Sequence, residues 1–385
     1  MINIVNKEDC VGCRGCVQIC PKKCISFITD GQGFDYPEVD LDLCIHCGLC
    51  EKVCPVIHQA ADRVPLKVVA GHIEDNRIKM ASSSGGLFFT LAARIIEEGG
   101  VVFGARFNSN WEVIHDYAET LEDIKRFQGS KYTQSRMGDS YIKARKFLKQ
   151  GRKVMFTGTP CQLAGLGLFL NHDYGPQLLK VDVVCHGVPS PLVWTDYLRY
   201  VSENNQSNVS DITDISFRDK RNGWEKYGCR IMFGKDGTKE LYSPLRANIY
   251  MQGFLRDLYL RPACYKCPAK CGKSGSDITL GDFWRVSTLE PEAYSPSGTS
   301  LILINTSVGD DYMQSTGIRT WLTTYNKAIT SNGSLIESAV YPRNYAEFWK
   351  EYATSGIFGL EHFIKKMRGN IIRRGLRYIK YLLKK

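Results

Sequence analysis

The sequence predicts a small α+β module followed by a mixed α/β domain with a largely parallel sheet, an antiparallel extension and C-terminal helices. Three observations carry this prediction. A cysteine-rich block is duplicated within the first 54 residues. Strand and helix patterns alternate from about residue 67, and short strand patterns cluster after residue 205. The expected parts are residues 1–62, 66–205, 206–345 and 346–385.

In the first part, Cys10, Cys13, Cys16 and Cys20 follow the spacing C-x2-C-x2-C-x3-C, with Pro21 next. Cys44, Cys47, Cys50 and Cys54 repeat it, with Pro55 next, at a constant offset of 34 residues. In such runs three cysteines hold one 4Fe-4S cluster and the fourth reaches across to the other. Cys10, Cys13, Cys16 and Cys54 are therefore expected on one cluster, and Cys44, Cys47, Cys50 and Cys20 on the second. Gly12, Gly15 and Gly48 let the backbone approach the sulfides. Structural zinc would instead use two C-x2-C dyads. Between the runs, residues 25–28 and 34–39 read as a hairpin around Gly31-Gln32-Gly33. Cys24 is left over and reads as a buried thiol. The first part is thus a ferredoxin-like dicluster module, suited to single-electron exchange with a redox partner protein.

Composition agrees with a globular chain: 43% of the 385 residues are hydrophobic and 23% charged. No apolar run reaches 18 residues, and the N-terminus lacks a signal-peptide pattern. A cytoplasmic location is expected, where the 15 cysteines read as metal ligands and not as disulfides. Nine of the ten net positive charges fall in residues 363–385. The near-neutral remainder excludes a general nucleic-acid surface. In that tail Ile364, Met367, Ile371, Tyr378, Ile379 and Leu382 recur at helical spacing among the basic residues. Such a basic amphipathic helix suits either docking on its own domain or peripheral contact with a partner or the inner membrane face.

Residues 63–65 read as a linker. Strands are expected over 67–73, 101–105, 153–157 and 179–184, with helices over 87–98, 140–150 and 162–170. Antiparallel strands are expected over 212–218, 227–233 and 238–242, a helix over 246–259 and a further strand over 301–305. Two strands run into cysteine, at Cys161 and at Cys185-His186. Ligands of open α/β sheets gather at the carboxyl ends of strands. If these strands are parallel, both thiols project from one edge. Cys264 and Cys267 form a C-x2-C pair, with Cys271 nearby. Cys161, Cys185, Cys264 and Cys267 make a four-thiolate set for a third cluster. The alternative is zinc held by Cys264, Cys267 and Cys271 with Cys229 or His186. Ser82-Ser83-Ser84-Gly85-Gly86 before a helix, and the segment 128–135, are candidate phosphate cradles.

The ordered motifs SSGG, GSKYTQS, FTGTPCQ, DVVCHGVPSP, FRDKRNGW, CYKC and SDITLGDFW resemble the family of coenzyme F-420 hydrogenase/dehydrogenase beta subunits over residues 66–340. The resemblance implies FAD beside a 4Fe-4S cluster on Cys161, Cys185, Cys264 and Cys267. It places the flavin near Ser84, Gly85, Gly86, Ser130, Lys131, Tyr132, Gln134, Ser135, Thr159 and Gln162. His186 and Lys131 are candidate proton donors. The implied activity is an oxidoreductase relaying electrons between a ferredoxin-type partner and a deazaflavin or other small organic substrate. The alternative is a non-catalytic electron relay that feeds a separate enzyme, such as a dehydrogenase. Ferredoxin-fused members occur in bacteria, some near surface-polysaccharide genes.

Overall fold

The computed structural model describes residues 1–234 and 237–382, with side-chain surroundings up to residue 367. Strands β1 (Ile25–Thr29) and β2 (Asp35–Val39) form an antiparallel hairpin between the two cysteine runs. Eight strands then build the main sheet: β3 (Lys67–His72), β4 (Val101–Phe107), β5 (Val113–Ala118), β6 (Val154–Gly158), β7 (Leu178–Val183), β11 (Ile278–Asp282), β12 (Ser300–Ile304) and β13 (Arg319–Thr323). Their order is β13-β3-β12-β11-β7-β6-β4-β5. The centre, β11-β7-β6-β4, is parallel, and antiparallel strands flank it on both sides. A separate antiparallel sheet contains β8 (Ile212–Asp219), β9 (Gly228–Phe233) and β10 (Lys239–Pro244).

Alternation along the central strands explains burial on both faces. Val102, Met155, Leu179 and Val181 pack with Leu87, Leu91 and Ile95 of helix Leu87–Glu97. Phe103, Val154, Phe156 and Leu178 face Tyr141, Ala144 and Leu148 of helix Ser140–Lys149 and Leu163 and Leu166 of helix Pro160–Leu170. A third core joins Trp194 and Tyr197 of helix Pro191–Asn204, Phe217, Phe233 and Tyr250 to Phe348 and Leu360.

The sequence reading does not name β5, β11 and β13. Strands β5 and β13 are sheet edges with polar residues at several positions, and β11 is a five-residue strand ending Gly281-Asp282. The expected helix over 246–259 is confined to Ile249–Phe254, because Asp257 adopts φ 60°. The linker is pinned: the Arg63 N–H donates to the Cys271 carbonyl at 2.8 Å, and its guanidinium to the Ser276 carbonyl at 2.7 Å.

The last helix spans Tyr345–Leu382 with a break at Gly356 (φ 55°). Phe363 and Ile364, the start of the expected stripe, are buried in the domain's own core. Ile371, Tyr378, Ile379 and Leu382 lie outside the residues whose side-chain surroundings are described. Among the described residues no helix is long and apolar enough to cross a membrane.

Candidate functional site

The cysteine duplication extends to the backbone. Gly12 and His46 occupy equivalent positions, as do Arg14 and Gly48, and all four have positive φ. These left-handed turns curl each run around a cavity. Cys10, Cys13, Cys16 and Cys54 line one cavity. Cys20, Cys44, Cys47 and Cys50 line the other, together with Cys24, whose Sγ lies 3.4 Å from Cys20 Sγ. Burial, and then the charge of neighbouring thiols, raises the Cys13 thiol well above its usual range and the Cys16 thiol to about 12.

The remaining predicted ligands meet at the carboxyl edge of the parallel sheet centre. Cys161 follows β6, Cys185 follows β7, and β6 and β7 are parallel neighbours. Thr159 and Gln162 form a capping box at the N-terminus of helix Pro160–Leu170 and so fix the turn that carries Cys161. Cys264 and Cys267 arrive on the short helix Pro262–Lys266 and its C-cap. Burial raises the Cys161, Cys185 and Cys264 thiols to about 12, and each is raised further by others of the same four sulfurs. Arg261 opposes this at Cys161 and Cys264, and Lys270 at Cys185. The two other thiols sit elsewhere. Cys229 is buried in the apolar core with its Sγ toward the Phe217 carbonyl, and Cys271 turns toward the Ile336 carbonyl.

The two thiol sets adjoin. Cys13 and Cys161 share a small apolar cluster with Val11, Val56 and Ala263. Gly165 makes room for this approach, since a Cβ there would stand 3.1 Å from Cys13 Sγ.

The predicted flavin residues divide. Many are bonded to the protein itself. Ser84 Oγ donates to the Thr299 carbonyl at 2.8 Å, and the Gly85 N–H donates to Ser300 Oγ at 2.9 Å. Gly86 opens helix Leu87–Glu97 at φ 93° with no side-chain cap. The Ser130 N–H donates to Ser83 Oγ at 2.7 Å. Gln162 Nε2 donates to Ser135 Oγ at 2.9 Å, and Gln134 spans Arg261 and the Val11 carbonyl. Desolvation lowers the Lys131 amine to about 7, while its Nζ donates to the carbonyls of Arg126, Gln128 and Gly129. His186 Nε2 lies 2.5 Å from Asp257 Oδ1, with the ring edge against Phe254. Among the described residues no hydrogen bond joins Lys131 to His186.

Beside Ser83 and Ser84 lies a charged cluster that sequence reasoning missed. Arg218, 4% exposed, donates to both oxygens of Asp282 at 3.0 and 2.9 Å, to Tyr132 Oη at 3.1 Å and to the Ser83 carbonyl at 3.2 Å. Its Nε is buried without a partner. Buried Lys220 donates to the carbonyls of Lys79, Ser84 and Ser297, and burial lowers its amine to about 7. Asp282 also accepts from Trp224 Nε1 at 2.9 Å, and Trp224 stacks on Trp284 at 5.1 Å. The cations Lys79, Arg218 and Lys220 thus surround a single carboxylate. The signal was present: Arg218 and Lys220 stand inside FRDKRNGW.

Comparison with known proteins fits this geometry. Residues 151–327 match the family defined by the C terminus of the coenzyme F420 hydrogenase/dehydrogenase beta subunit, and residues 9–57 match the 4Fe-4S dicluster domain. The F subunit of the F(420)H(2) dehydrogenase of Methanosarcina mazei is 22% identical over 321 residues, 80% of this chain and 82% of that protein. A 7Fe ferredoxin of Hydrogenibacillus schlegelii is 45% identical over 51 residues, 13% of this chain and 59% of that protein. A chain of the F420-reducing [NiFe] hydrogenase complex of Methanosarcina barkeri aligns with a TM-score of 0.46 and 17% identity, covering 79% of this chain and 92% of that one.

Proposed function

Because residues 151–327 belong to the family of coenzyme F420 hydrogenase/dehydrogenase beta subunits and residues 9–57 to the 4Fe-4S dicluster family, we propose that this iron–sulfur electron-transfer chain carries a third cluster and FAD and is an oxidoreductase. The observation that carries the reading is the contact of the two thiol sets through Val11, Cys13, Cys161 and Ala263. Bound clusters supply single-electron transfer, and bound FAD couples single electrons to pairs.

Cys161, Cys185, Cys264 and Cys267 would hold the third cluster. Their chemistry suits it: four buried thiolates repel one another and need a cationic metal group between them. No three His, Cys, Asp or Glu side chains among the described residues stand close enough to share one metal ion. A wider cluster fits such spacing better than zinc does. Arg218, Lys220 and Lys79 would face the FAD pyrophosphate near Ser83–Gly86, where their charge exceeds that of Asp282. Asp257 fixes the His186 ring, which would hold a proton next to Cys185. Lys131, lowered to about 7, is the second proton-holding group. The substrate would be a deazaflavin or another small organic molecule, and the redox partner a ferredoxin or a dehydrogenase subunit.

A second reading, an electron relay without flavin, draws on the internal bonds already made by Ser84, Gly85, Gln134 and Gln162. Anaerobic analysis of iron, sulfide, zinc and flavin decides between them. The first reading expects about twelve irons from three clusters, with one FAD per chain. About eight irons with zinc would remove the third cluster, and three clusters without flavin would leave the relay.

A further inference from the structure

Arg261 lies between the ferredoxin module and the body and is 1% exposed. Its Nε donates to the Cys10 carbonyl at 2.5 Å and its Nη1 to Gln134 Oε1 at 3.0 Å. Its Nη2 donates to the Asp35 carbonyl at 2.9 Å and to Cys10 Sγ at 3.3 Å. None of these partners is a carboxylate. A buried guanidinium without a countercharge is strongly unfavourable. The rings of Tyr36 and Phe34, 4.5 and 5.5 Å from Cζ, offset only part of that cost. The negative charge within reach is thiolate. Arg261 also begins the turn of the other thiol set, its carbonyl accepting from the Cys264 N–H at 2.8 Å. Its charge favours the thiolates of both Cys161 and Cys264.

We propose that Arg261 is the shared countercharge of two clusters, the one on Cys10, Cys13, Cys16 and Cys54 and the third, and that it holds both reduction potentials up. The inference rests on the reading that both sets hold clusters. Cluster potential follows net charge, burial and hydrogen bonds to sulfur. Reduction adds negative charge, so a buried cation favours it. Arg261 acts on both clusters from one position and therefore moves their potentials together. The set on Cys20, Cys44, Cys47 and Cys50 lies outside its bonds. Lys270 provides the contrast. Its Nζ donates to the carbonyls of Cys185 and Ser334, so it faces the third set alone.

The test is a redox titration of the reconstituted full chain followed by electron paramagnetic resonance. Wild type is compared with Arg261→Gln, Arg261→Lys, Gln134→Glu and Lys270→Met. Arg261→Gln is expected to make reduction of two clusters about tenfold less favourable, 59 mV for one electron, and to leave the other cluster unmoved. Arg261→Lys is expected to restore both midpoints. Gln134→Glu places a carboxylate on Nη1 and should move the same two clusters downward, and it decides the matter if Arg261→Gln fails to fold. Lys270→Met should move one cluster only. Three cluster signals with unchanged midpoints in Arg261→Gln and Gln134→Glu would overturn the inference. So would a shift of equal size in Arg261→Lys, which would trace to geometry and not charge. Wild type showing only two cluster signals would instead sink the third-cluster reading on which the inference rests.

Discussion

His115 is a buried neutral ring that ties stability to pH. It is 6% exposed on β5 and stacks on Phe156 at 5.3 Å. Its Nε2 lies 2.6 Å from the Thr157 carbonyl and its Nδ1 3.3 Å from Ser135 Oγ. Ser135 in turn accepts from Gln162, which caps the helix bearing Cys161. Burial lowers the imidazole from 6.5 to about 4. The unfolded chain therefore takes up this proton first as pH falls. The stabilisation is complete above 6.5 and is lost as pH drops through 4. The full term is about 3 kcal/mol, of which roughly 2 kcal/mol goes between pH 7 and pH 5. His115→Gln should abolish this slope. Denaturant midpoints of wild type and variant at both pH values measure it, and a difference that stays constant with pH would show an ordinary imidazole.

At the scale of elements, the decisive contact is between helix Pro160–Leu170 and the cysteine run of the module. Glycine inside a helix costs ~1 kcal/mol relative to alanine, so Gly165→Ala would stabilise this helix in isolation. Here a Cβ would stand 3.0 Å from Tyr141 Oη and 3.1 Å from Cys13 Sγ. Overpacking of about 1–3 kcal/mol outweighs the gain, and the strain falls where the two thiol sets meet. The variant should be less stable than wild type. It should also pass electrons from the module to the third cluster more slowly, read by rapid-freeze spectroscopy. A variant that is more stable and equally fast would mean the close approach does nothing.

Local order was readable from the sequence and convergence was not. The run Cys10 to Cys20 is legible because its ligands are two or three residues apart. The strands at 101–105 and 153–157 are legible because two-sided burial leaves unbroken apolar runs. That Cys161 and Cys185 share an edge needed only the parallel pairing of β6 and β7. Arg261, Arg218 and Lys220 carry no such mark. Their meaning comes from partners 64 to 251 positions away in the chain. Edge strands β5 and β13 were hidden for a related reason, since partial exposure dilutes the apolar pattern.

For the molecule as a whole, the module and the body are stitched at three places. Arg261 binds Cys10 and Asp35. Gln18 Oε1 accepts from the N–H groups of Tyr141 and Ile142, capping helix Ser140–Lys149, whose own N-cap, Asp139, makes no side-chain cap bond. At the hairpin turn, the Gln32 carbonyl accepts from Ser190 Oγ at 2.5 Å, its Oε1 accepts from Tyr345 Oη at 2.7 Å, and Gly33 (φ 81°) packs on Leu192. Removing residues 1–62 would strip three bonds from a buried guanidinium, uncap a core helix and expose Ala263 and Cys161. Loss of a helix cap alone costs ~1 kcal/mol, and an unpaired buried cation costs about 3–5 kcal/mol more. That is a large share of the roughly 5–15 kcal/mol that holds a domain folded. The fragment 63–385 is expected to aggregate or to melt well below the full chain, and the full chain to unfold in one transition. Calorimetry of both decides it: a fragment with the melting temperature of the intact protein would mean that the module merely rests on the body and that the stitches at Arg261, Gln18 and Gln32 carry no stability.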